Sequence, residues 1–325
     1  DPHQPPIYLF FSEISTEGLL KALRLGVKEC FTYPIHPEEF QEALKRLPPP
    51  LPAPEVQEAT RLISLLGCKG GVGTTFLTVN LGYLLAQEGT GSVLLVDLDL
   101  RYGQMVYFLD VKPQYTLAEV IDNVEHLDAS YLQSLMYQYD KNLQVLPAPA
   151  RLEEAEGVTP ERLEAVLRFL QRMKTYSHIL VDAGHHLDEI SLKALELADQ
   201  LVLVTNQTIP ALSNTKKLLE ILELLGLSPG DLQIWLNAWQ KTGELSLEDV
   251  TKFLGREVKG VVAAAVQEVA VSINEGAPLV KTAPNLAVCR DLKTLAQSFR
   301  QAGAVRGEPE GRWGWLNFFR RPKKT

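Results

Sequence analysis

The sequence predicts an α/β protein with a doubly wound, mostly parallel sheet, preceded by a small α/β module. Short, continuously apolar runs alternate with longer segments of helical periodicity, which is the pattern of a parallel sheet covered by helices on both faces. A glycine-rich loop directly follows the first apolar run of the main domain and opens a helix. Five of the twenty prolines lie in residues 48–54, and such a run forms an extended spacer between folded parts.

The proline-rich run and a break rich in glycine and charge at residues 303–311 divide the chain. We predict an α/β module at residues 1–47, a linker at 48–57, the main domain at 58–302, and a linker with a basic, aromatic tail at 303–325. Within the module, the pattern predicts strands at residues 7–11 and 29–33 and helices at 17–25 and 37–47.

In the main domain, the apolar runs predict the strands in chain order. They lie at residues 62–66, 93–96, 143–146, 178–181, 200–204, 233–236 and 258–262. Helical periodicity between these runs predicts helices at residues 75–87, 160–173, 190–197 and 211–225. Because the ligands of such sheets bind at the carboxyl ends of the strands, we expect the functional residues in the loops that follow these runs.

Composition and charge exclude several classes of protein. The 325 residues are 46% hydrophobic and carry 32 Lys and Arg against 40 Asp and Glu, and the net charge of −8 disfavours a protein coated in basic surface for nucleic acid. Three cysteines without a C-x-x-C pair exclude a disulfide scaffold and a cysteine-ligated metal centre. The sequence has no apolar run long enough to span a bilayer and no signal-peptide pattern, which predicts a cytoplasmic protein.

The glycine-rich loop is the clearest functional motif, and it reads Gly-Cys-Lys-Gly-Gly-Val-Gly-Thr-Thr over residues 67–75. Glycines let backbone N–H groups surround phosphate oxygens, and the following helix adds its N-terminal dipole. The loop matches G-x-x-x-x-G-K-[ST] except at the lysine position, which holds Thr74, and Thr75 is placed to bind Mg²⁺. The candidate nucleotide-binding residues are Lys69, Gly70, Gly71, Val72, Gly73, Thr74 and Thr75. The alternative is an incidental glycine-rich turn.

Carboxylates follow two of the predicted strands. Asp97 and Asp99 come directly after the run at 93–96, and Asp182 follows the run at 178–181. A carboxylate at such a strand end can bind Mg²⁺, directly or through water, or orient an attacking water. We therefore predict Thr75, Asp97 and Asp182 as the magnesium ligands and as part of the nucleotide site. Each aspartate alone could instead be a helix or turn cap.

Two adjacent histidines, His185 and His186, follow the second of these strands. A metal site or a general base is one interpretation of such a pair. However, neighbouring side chains of a regular strand cannot both face one ion, and no third ligand is evident from the spacing. The sequence therefore favours a hydrogen-bonded or solvated pair in a loop near the nucleotide.

Lysine followed by two glycines, at Lys69, resembles the deviant Walker A motif of the MinD/ParA-type ATPases. The resemblance implies ATP and Mg²⁺ as cofactors and a homodimer with the nucleotides between its subunits. Lys69 would reach the partner's phosphates, Asp99 would position the attacking water, and Asn237 would contact adenine. Lys69 and Asp99 are thus the candidate catalytic residues. Because Thr74 replaces the usual lysine, we expect slow hydrolysis at most.

A narrower resemblance extends over residues 7 to 300. Residues 97–103, 188–199, 205–214 and 245–256 resemble the CpaE/TadZ group, the ATPase-like proteins of Tad (Flp-type) pilus assembly. This implies a dimerisation switch that positions pilus or secretion machinery at a membrane or polar site. The pilus or secretion ATPase, or a polar hub protein, would be its partner.

The N-terminal module resembles the last two β-α units of a response-regulator receiver domain. Tyr33-Pro34 stands where that family usually has Lys-Pro, and the segment that would carry the phospho-acceptor Asp is absent from the sequence. The module is therefore interpreted as an interaction module without phosphotransfer.

In the main domain, the residues expected around the adenine base depart from the MinD/ParA pattern. Ala238 stands in place of an expected Arg, and alanines at 263–265 stand in place of Pro-Asn-Asp.

The last fifteen residues carry five cations, no acid and two of the four tryptophans. Aromatic and basic side chains on a short amphipathic helix suit the surface of an anionic membrane, and MinD carries a comparable C-terminal anchor. We predict a peripheral membrane contact through Trp313, Trp315, Leu316, Phe318, Phe319, Arg320 and Arg321. The alternative is a tail that packs its aromatic side chains on the body or on a partner subunit.

Two other functions stay open from the sequence. The first is a non-enzymatic localisation scaffold with a degenerate nucleotide site, which Thr74, Ala238 and Ala263 favour. The second is a ParA-like ATPase that partitions DNA. The acidic composition disfavours DNA binding, only the basic tail supports it, and no specific nucleic acid is expected as a partner.

Overall fold

The protein is described by a computed structural model that covers residues 8–13, 15, 18, 21–22, 27, 29–45, 59–88, 91–227 and 232–301. The chain falls into two units, Asp1–Gln57 and Glu58–Thr325. The proline-rich run and the basic, aromatic tail lie outside the described residues. Of the helix predicted at residues 17–25, only three residues are described, and all three are helical.

The N-terminal unit contains a two-stranded parallel sheet. Strand β1 (Tyr8–Phe11) pairs with β2 (Glu29–Thr32), and helix α1 (Pro37–Lys45) follows. The ring of Phe31 packs edge-on against that of Phe40, with the centroids 5.4 Å apart. Its elements agree with the predicted strands and second helix, while its likeness to a receiver domain stays a prediction.

The main unit is built on one eight-stranded sheet with the order β10-β9-β8-β3-β7-β4-β6-β5. All neighbouring strands are parallel except β5 and β6. The strands are β3 (Arg61–Gly67), β4 (Ser92–Asp97), β5 (Tyr137–Asp140), β6 (Leu143–Leu146), β7 (Tyr176–Asp182), β8 (Gln200–Asn206), β9 (Leu232–Trp239) and β10 (Val258–Ala263). Each of the predicted strands is present, and the predicted fold class is confirmed.

Strand β5 was not predicted. Its residues read Tyr-Gln-Tyr-Asp and lack the apolar run of a buried strand. It pairs antiparallel to β6 at the edge of the sheet, through a tight turn at Lys141 and Asn142. An edge strand needs no continuous apolar run because its outer side is not covered by another strand.

Helices cover both faces of the sheet. They are α2 (Thr74–Glu88), α3 (Met105–Phe108), α4 (Leu117–Asp122), α5 (Ala129–Leu135), α6 (Leu152–Ala155), α7 (Pro160–Met173), α8 (Glu189–Leu197), α9 (Ile209–Leu224), α10 (Leu247–Leu254), α11 (Val266–Asn274), α12 (Leu279–Thr282) and α13 (Ala287–Gln301), with a 3₁₀ turn at Val124–His126. The four helices predicted in this unit correspond to α2, α7, α8 and α9. None of the described helices is long and apolar enough to cross a membrane.

Capping side chains start several of these helices. The side chains of Thr159, Asp188 and Ser246 accept hydrogen bonds from backbone N–H groups in the first turns of α7, α8 and α10. A cap of this kind satisfies a donor that the helix itself cannot pair. The loops at the strand ends therefore lead into helices at defined residues.

The central strand β3 shows how the core is divided. Ile63 and Leu65 face the side packed by α2 and α13, whereas Leu62 faces the side packed by α7. All three side chains are fully buried. Burial on both faces explains why this strand is a continuous apolar run in the sequence.

Candidate nucleotide-binding site

Strands β8, β3, β7 and β4 are parallel neighbours, so the loops that follow them meet at one edge of the sheet. Two backbone hydrogen bonds join these loops directly. The amide of Gly67 donates to the carbonyl of Gly184 at 2.8 Å, and the amide of Cys68 donates to that of Val204 at 2.9 Å. The glycine-rich loop thus lies between segments that are more than a hundred residues away in sequence.

The glycine-rich loop forms an open cradle. Gly71 and Gly73 have φ angles of +78° and +91°, in the region that favours glycine. A Cβ on Gly73 would lie 2.3 Å from Nδ2 of Asn237, whereas nothing lies within 4 Å of a Cβ on Gly71. The side chain of Asn237 therefore closes one side of the loop at Gly73, and the side at Gly71 is open. This open side lies directly before the N-terminus of α2. This shape and the free N-terminal amides fit a phosphate group.

The structure places Thr74 at the base of this cradle. Its side chain is 8% exposed, and its hydroxyl faces Gly67, where a Cβ would lie 2.5 Å from Oγ1. The side chain therefore points inward, and the part of Thr74 that can meet a phosphate is its backbone N–H. Thr74 therefore places no positive charge over the loop, whereas a lysine at this position would.

Lys69 lies at the exposed tip of the loop. Its ammonium nitrogen is 3.5 Å from the carbonyl oxygen of Gly70, and Gly70 itself is exposed. The other predicted loop residue, Val72, is buried at 2% exposure and contributes its carbonyl to the floor of the loop. The loop therefore anchors Val72 inward, while Lys69 is half-buried and lies beside the exposed Gly70 at the tip.

Thr75 and Asp182, two of the three predicted magnesium ligands, are in direct contact. The hydroxyl of Thr75 donates to Oδ2 of Asp182 at 2.5 Å, and the amide of Gly184 donates to Oδ1 at 3.0 Å. Asp182 is fully buried, and burial raises the pKa of its carboxyl to about 6 against the lowering effect of these two hydrogen bonds. A hydroxyl and a carboxylate are hard oxygen ligands of the kind Mg²⁺ prefers.

Asp97 takes a different role from Asp182. Its carboxylate accepts the backbone amides of Asp99 at 3.1 Å and Met105 at 3.2 Å, so it organises its own loop. It pairs in register with Asp182 on the neighbouring strand, and burial together with the charge of Asp182 raises its pKa well above the usual range. Two buried carboxyls side by side favour a cation nearby.

Within the described residues, no group of three His, Cys, Asp or Glu side chains could hold a metal ion by itself. The arrangement of Thr75 and Asp182 therefore fits Mg²⁺ that takes its remaining oxygen ligands from phosphate groups and water. Bound Mg²⁺ would supply positive charge to neutralise the phosphates. The direct ligand role predicted for Asp97 stays a prediction, because both of its oxygens are already engaged by backbone amides.

Asp99 lies at the rim of the site. Its Oδ1 accepts the amide of Tyr102 at 3.1 Å, and its Oδ2 lies 4.0 Å from Nδ1 of His185. Gly184, with a φ of +63°, lets the neighbouring loop approach, because a Cβ there would lie 3.3 Å from the same carboxylate oxygen. The carboxylate of Asp99 therefore faces the loop after β7.

The sequence favours His185 and His186 as a hydrogen-bonded or solvated pair in a loop near the nucleotide, but it did not predict that His185 covers the glycine-rich loop. A Cβ on Gly70 would lie 3.5 Å from its Nε2, so its ring covers the tip of the phosphate loop. His186 packs against it with the ring centroids 4.0 Å apart. Burial and the charge of His186 lower the pKa of His185, and Asp99 opposes them. The sequence signal for a role of His185 in the site was its position directly after the strand that ends in Asp182.

Asn237 braces the phosphate loop from below. Its Nδ2 donates to the carbonyl of Val72 at 2.8 Å, and its side chain is 8% exposed. Contact with adenine therefore stays a prediction. Beside it a cavity of about 460 Å³ opens at the ends of β8 and β9, lined by Asn206, Gln207, Thr208, Ile209, Ala238, Gln240, Gly243, Glu244 and Leu245.

Known proteins are similar to this chain in both sequence and fold. A sequence profile described as an AAA domain matches residues 60–232, more than half of the chain. The septum site-determining protein MinD of Thermotoga maritima is 27% identical over 242 residues, which cover 72% of this chain and 86% of that protein. The chain belongs to the MinD/ParA superfamily of P-loop ATPases.

Solved structures of the superfamily overlay on the main unit. The structure of MinD complexed with Mg-ADP from Pyrococcus horikoshii has a TM-score of 0.65 and 26% identity, and the match covers 74% of this chain and 96% of that one. A ParA family ATPase from Chlorobium tepidum has a TM-score of 0.69 at 24% identity, with 73% and 98% covered. The main unit of this MinD/ParA-type protein thus has the P-loop ATPase fold of the superfamily.

Proposed function

We propose that this MinD/ParA-type protein is an ATP-dependent dimerisation switch that positions pilus or secretion machinery. Nucleotide and Mg²⁺ bind at residues 67–75, with Thr75 and Asp182 as oxygen ligands. Two copies then associate through the carboxyl edge of their sheets, so that Lys69 of each reaches the phosphates held by the other. The observation that carries this proposal is the open phosphate loop with Lys69 at its exposed tip.

Exposed apolar side chains around the loop support association through this edge. Four segments that follow strand ends each expose one of them: Tyr102 (69%), Leu152 (61%), Ile209 (59%) and Val266 (71%). These residues follow β4, β6, β8 and β10, so they surround the phosphate loop after β3. Apolar surface at the rim of a charged site suits a protein partner, and a second copy would cover it.

Asp99 and Thr74 support slow hydrolysis of the nucleotide. The backbone amide of Tyr102 holds the carboxylate of Asp99 at the rim of the site, beside the loop after β7, where it can orient an attacking water. Because position 74 holds a threonine, whose hydroxyl is turned inward, the loop lacks the lysine that usually stabilises the charge that develops on the phosphate. Slow turnover suits a switch whose output is the lifetime of the dimer.

The positional output is proposed from the CpaE/TadZ resemblance. The Thermotoga maritima relative is named for determining the septum site, which is also a task of positioning. The dimer would mark a membrane or polar site in the cytoplasm and bind a Tad pilus or secretion ATPase or a polar hub protein there. The aromatic and basic tail would hold it on an anionic membrane.

Sedimentation equilibrium tests the switch. Wild type and Lys69→Ala are compared with Mg²⁺ and no nucleotide, ADP or a non-hydrolysable ATP analogue. We expect a dimer that forms with the ATP analogue in wild type and weakens in Lys69→Ala. Lys141→Ala is the matched control, because Lys141 lies in the exposed β5–β6 turn at the opposite edge of the sheet. Association that is identical under all conditions would contradict the switch and support the scaffold.

A DNA-partition ATPase is the second candidate, because the MinD/ParA-type fold of this chain is compatible with either task. Such a dimer would bind DNA without sequence specificity, through phosphate contacts that weaken with salt. Salt-dependent retention on DNA that survives deletion of residues 312–325 would support this function. The acidic composition argues against it.

A further inference from the structure

The phosphate loop of this protein lacks the lysine that usually binds the phosphates of the same subunit, because Thr74 stands at that position. Glycine amides and the N-terminus of α2 provide partial positive charge, but the lysine position holds Thr74, whose side chain is turned inward. In the proposed dimer Lys69 acts on the partner's phosphates. A nucleotide bound to one subunit would therefore bring several negative charges to a loop with no cationic side chain from the same subunit at the standard position.

His185 is placed to supply this charge. Its ring covers Gly70 at the tip of the loop, with Nε2 3.5 Å from the position of a Cβ. Its other nitrogen, Nδ1, lies 4.0 Å from Oδ2 of Asp99. The side chain is 31% exposed, so it can be reached from the open side of the loop. One imidazole therefore lies between the place for a phosphate and the proposed water-positioning carboxylate.

We propose that His185 binds the nucleotide phosphates as an imidazolium and takes up a proton when the nucleotide binds. The inference rests on the proposed nucleotide-binding function. Nδ1–H then faces Asp99 and Nε2–H faces the phosphate, so that both nitrogens act as donors. A neutral imidazole has a single N–H and can serve only one of these two acceptors.

The charges around His185 explain why its protonation state changes on binding. In the free protein, burial and His186 favour the neutral ring, and Asp99 is the acid that faces it. The phosphate loop contributes Lys69 next to Gly70, and Arg101, Glu156 and Asp188 line a cleft of about 380 Å³ that His185 and His186 share. Phosphate charges added on the loop side reverse the balance and stabilise the imidazolium.

Proton uptake on binding has a consequence for the site. A charged His185 attracts Asp99 and holds it against the loop after β7. Binding of the nucleotide would thereby position the carboxylate that orients the water. By linkage, nucleotide affinity rises as the pH falls, by up to about tenfold per pH unit between the two pKa values of His185.

Calorimetry counts the proton. Mg-ADP is titrated into the full chain at about pH 7 in buffers of different ionisation enthalpy, for wild type, His185→Gln and His186→Gln. We expect wild type and His186→Gln to take up about one proton more than His185→Gln. The comparison between variants is needed because bound Mg²⁺ would also release protons from Asp97 and Asp182, whose pKa values are raised by burial.

The outcomes separate the two proposals. If Mg-ADP does not bind wild type, the proposed function is wrong and the inference falls with it. If Mg-ADP binds but the proton counts of wild type and His185→Gln are equal, only the inference is wrong. An NMR titration of wild type alone, in which the pKa of His185 must rise with Mg-ADP, covers the case in which His185→Gln does not fold. A pKa unchanged by Mg-ADP would overturn the inference.

Discussion

Single residues of this protein combine burial with charge, and Asp182 is the clearest case. Its carboxyl is fully buried, and burial raises its pKa to about 6. Between the unfolded pKa near 4 and about 6, the folded state therefore binds more protons than the unfolded state. Stability is lost as the pH rises through this window, and the full penalty applies at neutral pH.

We expect Asp182→Asn to increase the free energy of unfolding at pH 7.5 without nucleotide, by up to about 3 kcal/mol. The amide keeps an acceptor for Gly184 and a donor for Thr75 while it removes the buried charge. Urea unfolding at pH 7.5 and pH 4 measures this, and the gain should shrink at the lower pH. Asp128→Asn is the control, since Asn caps a helix as well as Asp. A less stable Asp182→Asn at pH 7.5 would contradict the prediction.

At the scale of elements, a buried ion pair joins two helices on one face of the sheet. Lys193 of α8 lies 2.9 Å from Glu164 of α7 and 2.9 Å from Glu196, and its side chain is 7% exposed. Burial alone would lower the pKa of this ammonium, but the hydrogen bonds and charges of the two glutamates raise it. The contact fixes the position of α8, which directly follows the loop that carries His185.

Lys193→Met is expected to lower the free energy of unfolding by about 3 kcal/mol, because it leaves two carboxylates partly buried without their shared cation. Chemical denaturation of wild type and variant measures the loss. The matched control is Arg151→Ala, which removes the exposed pair of Arg151 and Glu154 and should leave stability unchanged. Equal stability of Lys193→Met and wild type would show that packing alone holds the two helices.

The whole molecule separates its charge along the chain. The net charge is −8, yet the last fifteen residues carry five cations and no acid. Such a tail is attracted to an anionic surface, and a single short copy binds weakly. Two tails in one dimer bind together, so the proposed switch would control membrane binding through avidity.

Deletion of residues 312–325 is expected to abolish sedimentation with anionic liposomes. Wild type should sediment more strongly with a non-hydrolysable ATP analogue than with ADP, because the dimer presents two tails. Liposomes of neutral lipid are the control, and they should retain neither protein. Sedimentation that the deletion leaves unchanged would refute the membrane role and favour a tail that packs on protein.

The sequence by itself determined the fold class and the place of the phosphate loop. Central strands such as β3 are buried on both faces, so each leaves a continuous apolar run that predicts it. The loop of residues 67–75 is local, so its glycines and its missing lysine can be read directly. The strand-end aspartates could likewise be predicted, because parallel strands bring their carboxyl ends to one edge.

Only the tertiary structure decided which side chains meet at that edge. His185 covers Gly70, and Asn237 lies under Val72, although each pair is more than a hundred residues apart. The order and register of β9, β8, β3, β7 and β4 set these contacts, and no local pattern encodes that order. Asp97 was predicted as a magnesium ligand and part of the nucleotide site, with a cap as the alternative, and in the structure its carboxylate accepts the backbone amides of Asp99 and Met105 in its own loop.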